Sequence, residues 1–293
     1  MKRCGISILF LFLVVTLGCS KKSTNDDENL KSIDKSANLL ATGDSAKDLL
    51  SNDSFDKLII EIAYVTDFRP SEAAMNNFVL FLKQRTFKEN IEIVYTQLDS
   101  PNEESLTLEE IAKLESDNRT IYNNGTTLAI YIYFADAPSE EDNEDEDLVT
   151  LGAVYRNTSM IIHEVTVRKL ASKSIIISNS DIETSTLNHE FGHLFGLVNL
   201  GTSTINDHED PDAENHCNVQ GCLMRAELQF GGPQNKNEQV QAKIGIEDEV
   251  QASCSLSGQS VLYMLEQRAS KGLANAPGLD SECILDLQGN GGK

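Results

Sequence analysis

One pentapeptide restricts this chain more than anything else in it: His189-Glu190-Phe191-Gly192-His193. Two imidazoles four residues apart stack on one face of an α-helix, so both can reach a single metal ion. The segment is therefore expected to be helical. Leu187, Leu194 and Phe195 supply apolar surface to pack that helix and to turn its histidines toward something specific. Glu190, beside the first imidazole, can aim its carboxylate at a metal-bound water. Zinc lowers the pKa of such a water to about 7, which brings its proton within reach of a carboxylate base. The chain has five histidines, and four of them (His189, His193, His208 and His216) fall close together. The fifth, His163, stands at the end of an expected strand and reads as structural.

Around this motif the pattern alternates. Residues 58–65 are almost continuously apolar, as in a strand covered on both faces. Pro70 opens a helix with Ala74, Phe78, Phe81 and Leu82 as its buried stripe. Further strands are expected at 91–98, 128–134, 149–155 and 159–162. Thr107 and Glu110 form a capping box before a helix. Seven acidic residues between Glu140 and Asp147 read as a solvated loop. The motif helix is expected over 182–196, and weaker helical signals cover 261–268 and 279–287. The expected fold class is α+β: a mixed five-stranded sheet with the motif helix in an upper subdomain, about 55–196, and a smaller irregular and helical subdomain, about 197–293.

The N-terminus pairs Lys2 and Arg3 with an apolar run from Ile6 to Leu17, then Gly18-Cys19-Ser20. A run this short does not span a bilayer, which takes about 20 residues, but it fits a secretory signal over 1–18. A small residue followed by Cys resembles a bacterial lipoprotein signal, although Thr16 stands where Leu is usual. That resemblance implies lipidation of Cys19, a polar tether over 19–54, and an exported protein at the outer membrane or cell surface. With 24 basic against 46 acidic residues the net charge is −22. The chain therefore lacks the basic face that nucleic acid or anionic lipid requires, and its membrane contact is expected through the lipid alone. With Cys4 in the signal segment and Cys19 lipidated, the four remaining cysteines of an exported protein, Cys217, Cys222, Cys254 and Cys283, suggest two disulfides with three possible pairings. The simplest is Cys217 with Cys222 and Cys254 with Cys283.

A catalytic zinc needs a third protein ligand. His189-Glu190-x-x-His193-x-x-Gly196 resembles the metzincin metalloproteases, whose Gly turns the chain so that a third His three residues later meets the metal. Asn199 occupies that position here, and Asn is a poor zinc ligand. Downstream, His216-Cys217, four residues, then Cys222-Leu223-Met224 resembles the archaemetzincin continuation. This implies an insertion between Gly196 and His216, with His216 as third ligand and Met224 as the methionine beneath the metal. The later Cys-x-x-Cys of that family, which helps hold a second zinc, is missing, so Cys217 and Cys222 are expected as a disulfide. His208 is the rival ligand, and a carboxylate such as Glu209 or Glu214 is a third option. The resemblance further implies that the edge strand, near 151–156, pairs with an extended substrate. The expectation is a zinc metalloendopeptidase acting on protein or peptide, with Glu190 as general base. Its alternative, motivated by Asn199, is a non-catalytic surface binding protein on a decayed fold. Oligomeric state leaves no mark in the sequence.

Overall fold

The structure is a computed structural model that describes residues 34–143, 145, 147–226, 253–273 and 276–293, with the side chains of 253–256 excluded. The expected signal peptide and Cys19 lie outside the described residues.

The elements run α1 Ala46–Leu50, β1 Lys57–Val65, α2 Glu72–Arg85, β2 Asn90–Leu98, α3 Leu108–Asn118, β3 Thr127–Phe134, β4 Leu148–Arg156, β5 Ser159–Ile162, α4 Glu164–Ala171, α5 Asn179–Leu194, β6 Glu209–Asp210, β7 Ala213–Cys217, β8 Ser253–Ser257, α6 Gly258–Ser270 and α7 Ser281–Gly289. All five expected strands form, and the class is α+β. The described residues build one main sheet in the order β2-β1-β3-β5-β4-β8. β2, β1, β3 and β5 run parallel, while β4 is antiparallel to both β5 and β8.

β1 and β3 are covered on both faces, which is why their sequences read as unbroken apolar runs. Leu58, Ile60 and Ile62 join α2 and α5 in one core, where Phe78 meets Phe191 edge-on at 5.1 Å. Ala63, Val65, Tyr131 and Tyr133 face a second core closed by Ile111 and Ala112 of α3. The capping box of α3 forms as expected, with Thr107 Oγ1 accepting from the Glu110 amide. Pro70 sits two residues before α2, because Ser71 takes the cap and its hydroxyl accepts from the Ala74 amide.

Three features depart from expectation. The folded body begins before residue 55. Asn38 is buried, and its Nδ2 donates to Asn123 Oδ1, the Ala129 carbonyl and Thr158 Oγ1. Leu49 and Leu50 are fully buried in the first core. Asn38, Leu49 and Leu50 thus anchor this stretch to the body, where a solvated tether was expected. Next, α4 sits where the sequence carried no helix signal. The last departure is the sixth strand, β8, which pairs along β4, so β4 is not a free edge. Among the described residues, no helix is long and apolar enough to cross a membrane.

Candidate metal centres

α5 carries the pentapeptide and starts earlier than expected, because Ser178 and Asp181 close a capping box at its N-terminus. Its residues from Ile182 to Leu194 are all buried. The helix ends at Gly196 with φ of +72°. Gly196 N donates to the His193 carbonyl and Leu197 N to that of Gly192, which is the paired ending that left-handed glycine permits. A Cβ at Gly196 would run into Thr202 Oγ1, whose hydroxyl donates to the Gly196 carbonyl at 2.6 Å.

Beyond this turn the chain makes a long detour before β7 returns His216 to the helix. His189, His193 and His216 converge, with one ring nitrogen of each within 4.8 Å of the others. His189 Nε2 and His193 Nε2 stand 3.2 Å apart. The Leu223 carbonyl accepts from His189 Nδ1 at 2.7 Å, and the Glu214 carbonyl accepts from His216 Nδ1 at 2.8 Å. Each bond takes the proton of the neutral ring to Nδ1 and makes Nε2 the acceptor, the nitrogen that can bind a metal. Burial pushes the pKa of His189 down to about 3 and that of His216 to about 4, and pushes His193 well below its usual value. The three rings are therefore neutral near pH 7, the form in which imidazole binds a metal. Two nitrogens bound tetrahedrally at zinc–nitrogen lengths would sit about 3.3 Å apart, so the arrangement fits a shared cation.

Glu190 is 2% exposed, and desolvation raises its pKa to about 8. Its Oε2 has no hydrogen-bond partner. A buried carboxyl oxygen held idle beside converging imidazoles is a candidate for proton transfer. Met224 lies against the helix as expected: a Cβ on Gly192 would stand 3.0 Å from Met224 Cε and closer still to Sδ.

His208 is brought elsewhere. Its Nε2 pairs with Asp286 Oδ2 at 2.8 Å and its Nδ1 faces Cys217 Sγ at 3.3 Å. Burial alone would lower its pKa, but hydrogen bonds to Asp286 and Cys217 outweigh that and raise it. Glu209 is also committed elsewhere, accepting from Asn199 Nδ2 and from the Asn215 amide. Asn199 is thus a loop anchor at positive φ, bonded through Oδ1 to the Thr204 amide. His163 is buried away from the triad, with Nδ1 on the Ala137 carbonyl at 2.9 Å.

The expected Cys217–Cys222 disulfide is replaced by a cluster. Cys217, Cys222 and Cys283 are free thiols, and with Asp280 they offer four ligand atoms within 4.8 Å. α7 brings Cys283 in, while the side chain of Cys254, its expected partner, lies outside the described residues. Val219 N donates to Cys217 Sγ and Met224 N to Cys222 Sγ, each at 3.3 Å. Hydrogen bonds from Cys222 and Cys283 push the Cys217 thiol well down, toward the thiolate that a metal needs. Sequence reasoning missed Asp280 in this role. Its only local signal is that of a helix cap, which it also is, accepting from the Glu282 and Cys283 amides.

No protein-family model matches this chain, and none of the curated proteins compared with it matches. Among solved structures it is similar to the archaemetzincin of Methanopyrus kandleri, at 13% identity and a TM-score of 0.44, over 81% of this chain and 96% of that one.

Proposed function

We propose that this chain is a zinc-dependent metalloendopeptidase. The observation that carries this reading is the convergence of three neutral, buried imidazoles beside the unpartnered carboxyl of Glu190. Bound zinc supplies a Lewis acid that polarises a peptide carbonyl and makes water acidic enough to deprotonate near neutrality. The chain supplies the rest. His189, His193 and His216 hold the ion, and the carbonyls of Leu223 and Glu214 fix the tautomers of His189 and His216. Glu190 accepts the proton of the attacking water and passes it to the departing amine nitrogen. A dication nearby offsets the desolvation that raises this carboxyl in its absence, returning it to the ionised form that a base requires.

The cluster of Cys217, Cys222, Asp280 and Cys283 reads as a structural metal site with a closed four-ligand set. It would clamp the segment between His216 and Met224 onto α7. Lipidation at Cys19 and export remain part of the proposal on the strength of the N-terminal signal.

The alternative of a decayed, non-catalytic fold drew on Asn199. That residue has a structural role here, and the clustering of His216 with His189 and His193 favours it as third ligand. The test is zinc content and hydrolysis of an unstructured protein. Wild type should bind two equivalents, Cys222→Ser one, and Glu190→Gln should keep both while losing hydrolysis. Undiminished hydrolysis by Glu190→Gln refutes the mechanism.

A further inference from the structure

β4 is the strand that lies against the metal helix. A Cβ at Gly152 would stand 2.9 Å from Glu190 Cγ and 2.9 Å from Thr186 Cγ2. The β4 backbone therefore runs in contact with the proposed base, with no side chain between them. One edge of β4 is taken by β5, from Gly152 opposite Ile162 to Arg156 opposite Ser159. The other edge is the row of backbone donors and acceptors where an extended peptide could pair while bringing a peptide bond to Glu190.

That second edge is filled by the chain itself. β8 lies along it antiparallel, with Leu148 opposite Ser257, Val149 opposite Leu256, Thr150 opposite Ser255 and Ala153 opposite Ser253. The ladder slips between Thr150 and Ala153, at the very stretch that contains Gly152. Its far end is latched by Asp147, whose Oδ2 accepts from Ser257 Oγ at 3.1 Å and from the Gln259 amide at 2.9 Å. The side chains of the metal site are themselves buried, with His189, Glu190, His193 and His216 6%, 2%, 2% and 9% exposed.

We infer that β8 is an internal occupant of the peptide-binding edge, filling the antiparallel place of a substrate strand and holding the enzyme latent until it is displaced. The inference rests on the metalloendopeptidase reading. It concerns backbone pairing, and the composition of β8 suits such a role. Three of its five residues are serine.

The ladder indicates where to break it. Gly258 N donates to the Asp147 carbonyl, so 147 with 258 is a hydrogen-bonded pair. By alternation 149 with 256 is the next, and 150 with 255 is a close non-bonded pair. Leu256→Pro removes a ladder donor. Thr150→Cys with Ser255→Cys, in a Cys254→Ser background, can be cross-linked, since Cα atoms of such pairs lie about 4.5 Å apart.

The experiment measures binding of a fluorescent tetrapeptide hydroxamate to zinc-loaded full-length protein, together with amide hydrogen exchange over residues 148–153. Leu256→Pro should expose those amides and bind the probe at least tenfold more tightly than wild type, with the probe restoring protection. Should that variant fail to fold, the cysteine pair decides: the oxidised form should bind at least tenfold more weakly than the reduced form. Equal affinity in oxidised and reduced forms, or unchanged affinity in Leu256→Pro with its β4 amides exposed, overturns the inference. Full hydrolysis by the cross-linked form overturns it too while sparing the proposed function. Probe binding gated by β8 without hydrolysis in any form refutes the catalytic reading and leaves β8 as occupant.

Discussion

Gly192→Ala sets two effects of known size against each other. Gly192 lies inside α5 between the two histidines of the pentapeptide. Replacing an interior helical glycine by alanine ordinarily stabilises by about 1 kcal/mol. At this position the new Cβ would stand 3.0 Å from Met224 Cε and nearer to Sδ, well inside the roughly 3.5–4.0 Å of a favourable contact. Met224 is fully buried, so its side chain has no solvent to retreat into. Forcing a methyl into a packed core costs about 1–3 kcal/mol, so the net effect is a loss of roughly 1 kcal/mol, or about 2–4 °C in melting temperature for a domain of this size. The larger consequence is functional. The Met224 backbone is tied to Cys217 N at 2.7 Å, and its neighbour Leu223 holds His189 Nδ1 at 2.7 Å. Displacing this segment misaims the imidazole, and losing such a partner typically weakens metal binding about 10–100-fold. Urea unfolding of the metal-free protein and a chelator competition for zinc measure the two effects separately. Adding Met224→Ala should recover part of the zinc affinity, since neighbouring substitutions couple. A variant about 1 kcal/mol more stable than wild type with unchanged zinc affinity would refute the packing of Met224 under the helix.

Two further outcomes are expected. Removing His216 should release the zinc held by α5. His208→Ala should instead keep that zinc and lose about 3 kcal/mol of stability, because Asp286 is left buried without its partner; urea unfolding and metal analysis of both variants check this, and the reverse pattern makes His208 the ligand. Glu164 is buried at the start of α4, and its pKa is raised to about 9, by burial first and then by the nearby charge of Glu183, against the pull of Arg168. A carboxyl whose folded pKa lies above its unfolded value, near 4.5, favours the fold fully below that value and ceases to as pH rises through about 9. Melting temperature should therefore fall across this window, and Glu164→Gln should flatten the fall; an identical slope in the variant would show that Glu164 is not held protonated.

Much of this molecule is local information. The i, i+4 histidines and Glu190 lie on α5 as their spacing requires, because helix periodicity is set within a few residues. The capping box at Thr107 and Glu110, the left-handed glycine that ends α5 and the runs that became β1 and β3 are legible for the same reason. Three matters were not local. His208 and His216 are alike in sequence, and the choice between them depends on where turns at Val198, Asn199 and Asn215, all at positive φ, deliver each ring. The cysteines were open to several pairings, and only the docking of α7 put Cys283 and Asp280 beside Cys217 and Cys222. β8 alternates, with Cys254 and Leu256 set between serines, but over only five residues, too short a run to stand out from its surroundings. The sequence by itself determined the candidate histidine ligands and the helix that carries two of them. The tertiary structure decided which histidine completes the set, what becomes of the thiols and what lies on the edge of β4, because each depends on contacts between segments far apart along the chain.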